Sequence, residues 1–241
     1  MMTWMNSEFQ NLVLVIPEKP DPEREAVALA WQTGGGNVIK LGRFWEPPEL
    51  EPSAVRLYGN DTFCLVLAEK LGLELISPSD DLLIHLEHDW LKRKVRSRTL
   101  GMLKEHDFPV FAKPQVPKIF RSGIYESLTD FRLECQGLTL ETPIIISEIV
   151  QIKAEARVFV LDAKIQTFAL YEGFDESSLL DFANQFVEHN KLPLTCVLDF
   201  ALLDDLGWAF LEANPTWGAG LNNCNPLGAA RCIAQATLSN T

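Results

Sequence analysis

The chain has 241 residues, 47% hydrophobic and 22% charged, a composition ordinary for a soluble globular protein of one large domain or two smaller ones. Thirty-three acidic residues stand against 21 basic ones, and the formal net charge of −12 disfavours nucleic acid and anionic membranes as main partners. No apolar run reaches the ~20 residues that span a bilayer, and MMTWMNSEFQ at the start has neither a basic n-region nor a long apolar h-region. No signal peptide and a cytoplasmic location are therefore expected. Cys64, Cys135, Cys196, Cys224 and Cys232 are odd in number and lack C-x-x-C spacing. They argue against a zinc site or a disulfide framework and for packed, reduced thiols.

Asn11–Ile16 (NLVLVI) is predicted as a buried strand. Pro20–Gln32 follows as a helix, with Pro20 and Asp21 near its start and Gly34 past its end. Asn37–Leu41 and Ala54–Tyr58 are strand-like, separated by a Pro/Glu-rich loop at Arg43–Ser53. Asp61–Leu71 reads as a helix closed by Gly72, and Leu73–Ile76 as another strand. Alternating short strands and helices predict a parallel α/β layer over residues 1 to ~78. Ser79–Leu86 reads as a short helix with Ser79, Asp80 and Asp81 as cap candidates, and Arg93–His106 as a second one. The texture then changes. Phe108–Lys113, Ile144–Glu148, Ala156–Leu161, Lys164–Tyr171, Thr195–Leu203 and Trp208–Asn214 look like strands, with helices at Leu179–His189 and Pro226–Leu238. This second part is predicted to be α+β with antiparallel pairs.

Strand alternation points Glu212 and Asn214 in "AFLEANP" the same way. Asp199 lies in the apolar run "TCVLDFALLDD", and a hairpin turn at Asp204, Asp205 and Gly207 would bring it roughly opposite Glu212. Three oxygen donors on one sheet face suit Mg²⁺, which takes one or two carboxylates plus substrate phosphates; solvated acids at a sheet edge are the alternative. In "FPVFAKPQVPKIF", Lys113 ends an apolar strand and Lys118 follows in a loop. Lys113 is either a point charge for phosphate or a snorkelling strand end. In "SEIVQIKAEARVFVL", Glu155 and Arg157 share strand parity, as a functional pair or as an exposed ion pair worth little.

Taken together, these segments resemble the ATP-grasp superfamily. The resemblance rests on the order Lys113 in V-F-A-K-P, Glu148, Glu155, Asp199, Glu212 and Asn214, with D-x12-E-x-N-P the most specific piece. It covers residues ~90–235. "LKRKVRSRTL", "FAKPQVPK" and "EARVFV" look most like a small clade named for one arginine and two lysines. The fold implied is an α/β N-terminal layer (residues 1–100) followed by an α+β ATP-grasp domain (residues 101–241), with ATP in the cleft between them. By the same resemblance Lys113 contacts ATP phosphates, and Glu148, Ile149 and Val150 form the hinge beside adenine. Glu155 lies near the ribose hydroxyls, and Asp199, Glu212 and Asn214 hold one or two Mg²⁺ ions. Arg93 and Lys118 are candidates for the clade's other basic residues, and Arg157 faces the γ-phosphate or the acceptor as the catalytic candidate.

The chemistry implied is ATP-dependent ligation of a carboxylate to an amine, small-molecule or peptide, through an acylphosphate. It needs positioning and charge neutralisation rather than a covalent protein group. A homodimer is compatible with the resemblance. Two departures keep an ATP-binding regulatory module without efficient ligation as the alternative, and a purely structural domain as a third. Val197 stands where many members carry an arginine two residues before the first metal carboxylate. The phosphate-loop candidate "FRSGIYESLTDF" has only Gly123, so closure over phosphates would rely on Arg121 and few backbone amides.

Other motifs are discounted. Gly34–Gly36 follows a helix rather than a strand, so turn formation fits better than a phosphate loop. "KRKVRSR" would have its charges spread around a helix, which weakens it as a nucleic-acid patch. His85 and His88 fit a shared, solvated helix face. "NNCNP" reads as a loop and helix cap close enough to Asn214 to touch an acceptor.

Overall fold

The computed structural model describes residues 7–239. The first six residues, part of the stretch inspected for a signal peptide, lie outside them. The chain forms two compact units. One comprises the residues up to Pro78, Ala154–Phe200 and the residues from Glu212 on; the other comprises Ser79–Lys153 and Ala201–Leu211.

The first unit opens with β1 (Val13–Pro17), α1 (Pro22–Thr33), β2 (Asn37–Leu41), β3 (Val55–Leu57), α2 (Asp61–Leu71) and β4 (Leu73–Leu75). β1, β2 and β3 form the expected parallel layer in the order β2-β1-β3. Helix α1 starts where Asp21 accepts from the amide of Arg24 at 2.9 Å, with Pro22 at its first position. Asn60 caps α2 through the Phe63 amide at 3.0 Å, and Gly72 closes it in the left-handed region at φ 64°. The glycine triplet makes the turn the sequence suggested. Gly35 has φ 87°, and a Cβ on Gly36 would lie 2.2 Å from the Trp31 indole nitrogen. Trp31 is fully buried and stacks on Phe9 at 4.3 Å.

The second unit contains α3 (Leu82–His85), α4 (His88–Leu91), β5 (Val95–Thr99), β6 (Val110–Pro114), β7 (Gly123–Tyr125), α5 (Leu128–Glu134) and β8 (Pro143–Ser147). Its sheet runs β5-β8-β6-β7, with every pair antiparallel. Several expectations are corrected here. The helix over Arg93–His106 is a strand followed by two 3-10 turns, Leu100–Met102 and Glu105–Asp107. Pairing of Val95–Thr99 with Pro143–Ser147 overrides the local propensity. His85 and His88 sit in separate four-residue helices and share no helix face. "FRSGIYESLTDF" is not one loop: it contains β7 and the start of α5, which Ser127 caps through the Asp130 amide at 3.2 Å. Arg121 is tied back to this core, its amide donating to Glu134 at 3.0 Å and its carbonyl accepting from the Tyr125 hydroxyl. The core centres on Phe131, whose ring meets Phe108, Phe120 and Tyr125.

The chain then enters β9 (Ile152–Leu161), β10 (Lys164–Glu172), α6 (Leu179–His189), β11 (Thr195–Leu203), β12 (Gly207–Asn214), α7 (Pro226–Ile233) and β13 (Thr237–Ser239). The strands order as β10-β9-β11-β12. Leu179, Ala183, Phe186 and Val187 recur at helical spacing and are all buried. Phe182 and Phe186 meet the Phe200 ring edge-on at 5.5 and 5.4 Å. The last helix, expected to reach Leu238, ends at Ile233 because Thr237–Ser239 pairs antiparallel with β4. This pairing also removes β4 from the parallel layer. Among the described residues no helix is long and apolar enough to cross a membrane.

Candidate functional site

β11 is buried along almost its whole length because its residues are apolar on both faces, and Asp199 is the exception at its middle, 2% exposed. On β9, Arg157 reaches it with both ends of its fork, Nε to Oδ1 at 2.8 Å and Nη2 to Oδ2 at 2.7 Å. From β12, the Asn214 amide nitrogen donates to Asp199 Oδ2 at 3.0 Å and to Glu212 Oε1 at 3.2 Å. The hairpin and the two-residue period thus gather Asp199, Glu212 and Asn214 as the sequence suggested. Glu155 and Arg157 also project together: Glu155 accepts from the Tyr171 hydroxyl, and the Arg157 guanidinium lies 6.0 Å from the centre of the Tyr171 ring.

Burial pushes the Asp199 carboxyl above the usual carboxylate range. The charge of Glu212 adds to this, and Arg157 and Asn214 oppose it. Burial works against the Arg157 guanidinium too, but Asp199 outweighs it and holds the group above its ordinary value. Tyr171 is pushed up by burial first and by Glu155 second.

Among the described residues no group of three or more His, Cys, Asp and Glu side chains is placed to hold a metal. The cluster offers two carboxylates and one amide, a hard-oxygen set that suits Mg²⁺ in company with substrate phosphates. Turning the Asn214 amide by half a revolution exchanges its nitrogen for its oxygen toward both acids.

The remaining candidates lie in the second unit. Lys113 on β6 pairs with Ile145, and Phe111 with Ser147, so these four share one face. Arg93, 6% exposed, joins that face by donating from Nε to the Ser147 hydroxyl at 3.1 Å, while Nη1 donates to the carbonyls of Leu91 and Phe210. Burial pulls its guanidinium down to about 10, so it stays charged at neutral pH. Lys118 stands at φ 67° in the loop between β6 and β7. Glu148 is committed to Lys94, accepting from its amide at 2.9 Å and meeting its Nζ at 3.0 Å. Ile149 is 39% exposed, and Val150 packs against Ala201, Leu203, Ala209 and Leu211. A cavity of about 320 Å³ is lined by Lys94, Arg96, His106, Ile146, Ser147 and Glu148. Arg96 pairs with Ile146, whereas Lys113 pairs with its neighbour Ile145.

Tyr171, Glu23 and Gly220 escaped the sequence reading. Tyr171 carried one usable signal, its place on a strand neighbouring Arg157. Val197 is fully buried among apolar side chains, so the positive charge beside Asp199 comes from Arg157 instead. All five cysteines are buried and free, and burial pushes the Cys196 and Cys232 thiols up to about 12. Burial thus disfavours their thiolate forms.

The family model that matches describes an ATP-grasp domain, family 2 of the clade named for one arginine and two lysines, and it covers residues 90–232. No curated protein sequence matches the chain. Among solved structures, a RimK-domain ATP-grasp protein from Sphaerobacter thermophilus superposes with a TM-score of 0.59 at 15% identity, covering 92% of this chain and 97% of that one. D-cycloserine synthetase DcsG gives 0.59 at 14% identity over 93% and 98%. An N5-carboxyaminoimidazole synthase from Aspergillus clavatus, solved with ADP, gives 0.58 at 11% identity over 94% and 77%. At these identities the likeness shows the fold, which is that of ATP-grasp proteins.

Proposed function

The chain belongs to the ATP-grasp domains of the one-arginine, two-lysine clade, and from that premise we propose that it is an ATP- and magnesium-dependent ligase joining a carboxylate to an amine. The observation that carries this reading is the cluster that Asp199 from the middle of β11, Arg157 from β9, and Glu212 and Asn214 from the end of β12 form on neighbouring strands. Two of the matched structures bear the names synthetase and synthase, and one was solved with ADP.

In the proposed reaction a carboxylate oxygen of the substrate attacks the γ-phosphorus of ATP. The bond from that phosphorus to the β,γ-bridging oxygen breaks, and ADP leaves. The amine nitrogen then attacks the acyl carbon, inorganic phosphate departs with the electron pair, and the amine gives up a proton. Asp199, Glu212 and Asn214 would hold magnesium, which when bound neutralises charge on phosphate oxygens. Lys113 supplies a point charge for phosphate from its strand end. Arg93 holds positive charge on the same sheet face. Arg157 keeps Asp199 ionised and oriented, and places positive charge beside the group that accepts the phosphoryl. Glu155, fixed by Tyr171, and the backbone of Glu148–Val150 serve the nucleoside. Lys118 is a further phosphate contact on the β6–β7 loop.

Calorimetric titration with ATP, with and without Mg²⁺, tests this on the native protein and on Asp199→Ala and Glu212→Ala. The expected result is metal-dependent binding in the native protein that both substitutions abolish, with ADP and phosphate released when a suitable acid and amine are supplied. Native-strength Mg·ATP binding in both variants refutes the site. One observation favours a second reading, an ATP-binding module without efficient ligation: Val197 leaves the position two residues before Asp199 uncharged. Tight Mg·ATP binding with no phosphate release across a broad acid and amine panel would establish it instead.

A further inference from the structure

Glu23 lies outside the matched residues 90–232, at the second position of α1. A glutamate there ordinarily serves its own helix end. This one turns instead to backbone nearly 200 positions away. Its Oε2 accepts from the amide of Leu221 at 2.9 Å and its Oε1 from the amide of Asn222 at 2.8 Å. The segment it grips is irregular, with Asn222 and Asn223 at φ 46° and 69°. Two carbonyls just before it are also taken: Ala219 accepts from the Tyr58 hydroxyl at 3.0 Å, and Gly220 accepts from Arg157 Nη1 at 2.9 Å. A Cβ on Gly220 would lie 2.5 Å from Glu23 Oε2 and 3.9 Å from Arg157 Nη1. The backbone therefore passes between a carboxylate and a guanidinium with room for a hydrogen and little else.

The guanidinium that holds Gly220 is the one that holds Asp199 with its other two nitrogens. The bonds run without a break from Glu23 through the amides of Leu221 and Asn222, the Gly220 carbonyl and Arg157 to Asp199. We propose that Glu23 is a positioning residue: by fixing residues 218–223 it sets the Gly220 carbonyl that orients Arg157, and through Arg157 it sets Asp199. The consequence for catalysis rests on the ligase reading above, whereas the positional coupling is independent of it.

The test compares native protein with Glu23→Ala and Glu23→Gln by NMR, following the backbone amides of Leu221 and Asn222 and the Nε–H of Arg157. In Glu23→Ala the two amides are expected to move upfield and to exchange with solvent about tenfold faster or more. The Arg157 Nε–H should shift and exchange faster with them. Formate, a carboxylate small enough for the vacated space, should restore all three signals, and chloride at equal ionic strength should not. Glu23→Gln keeps an acceptor oxygen and serves if the alanine variant fails to fold; it should lose one amide bond and part of the Arg157 signal's protection. Amide signals that move while Arg157 Nε–H stays as in the native protein would overturn the proposal, leaving a local strap; so would the absence of formate rescue. In parallel, Mg²⁺-dependent ATP affinity should fall in Glu23→Ala and recover with formate, with metal-free affinity unchanged. Native protein that shows no Mg²⁺-dependent ATP binding counts against the ligase reading alone, and the NMR comparison still decides the coupling.

Discussion

Replacing Arg157 with alanine removes the partner of a carboxylate that has almost no access to water. The side chains of Arg157 and Asp199 are 11% and 3% exposed, and their contact is bidentate. Deleting one member of such a pair costs about 3–5 kcal/mol, because the survivor is left charged and buried. In a chain of this size each kcal/mol lowers Tm by about 2–4 °C, so a loss of about 6–20 °C is expected at neutral pH. The pH dependence identifies the cause. Asp199 is already held above the ordinary carboxylate value by burial and by Glu212, and loss of Arg157 raises it further. A carboxyl whose folded pKa exceeds its unfolded value contributes stability that is whole below the unfolded pKa, about 3.9, and lost as pH rises through the folded one. The deficit of Arg157→Ala should therefore shrink as pH is lowered from 8 toward 5, by about 1.4 kcal/mol for each unit of added pKa rise. Circular-dichroism melts at stepped pH in EDTA measure it. The double variant Arg157→Met/Asp199→Leu should recover most of the lost stability, since neither charge remains. A Tm drop under about 2 °C at neutral pH, or a deficit that does not change with pH, would refute the reasoning.

Three other outcomes are expected. Phe131→Ala, at the meeting point of the Phe108, Phe120 and Tyr125 rings, should cost about 3–5 kcal/mol in urea unfolding. Asn60→Ala removes the cap on the Phe63 amide and should cost about 1 kcal/mol, while Asn60→Gly should cost only a few tenths. Lys113→Met should weaken ATP binding by about tenfold, about 1.4 kcal/mol by calorimetry, with little change in melting temperature.

What the sequence disclosed depended on how local the determining interactions are. β1, α1, β2 and α2 carry their own signals in apolar runs and in Asp21, Asn60 and Gly72 as start and stop residues. The association of Asp199, Glu212 and Asn214 was legible because a hairpin turn and a two-residue period fix it within sixteen positions. Val95–Thr99 was not: it follows directly on the basic run Lys92–Lys94, it carries a single aliphatic residue, Val95, so no apolar face marks the alternation of Arg96 and Arg98, and its strand partner comes from Pro143–Ser147. As a strand it also aligns Lys94, Arg96 and Arg98 by parity, so the helix-based ground for dismissing that basic run falls away. Thr237–Ser239 follows an alanine-rich helix whose propensity runs on past Ile233, and only its distant pairing with β4 ends the pattern. Glu23 gave no local sign of its role because its partners lie 198 and 199 positions along the chain.

The first unit is assembled from three separated stretches of chain, and its pairing of β13 with β4 joins Thr237 to Leu75. During synthesis, the apolar residues around Leu57, Leu67 and Leu73 must wait for Trp217 and Ala236 before their shared core is complete. Most of the second unit lies in the interval, between Ser79 and Lys153, and its sheet β5-β8-β6-β7 needs nothing beyond Ser147 to pair. Vectorial folding thus favours the inserted unit first and leaves the earliest segment exposed longest, as a natural client for chaperones. For the same reason a fragment cut to residues 90–232 would carry half a core, lacking the parallel layer that Val197 and Phe159 pack with, and would be expected to aggregate rather than report on the intact protein.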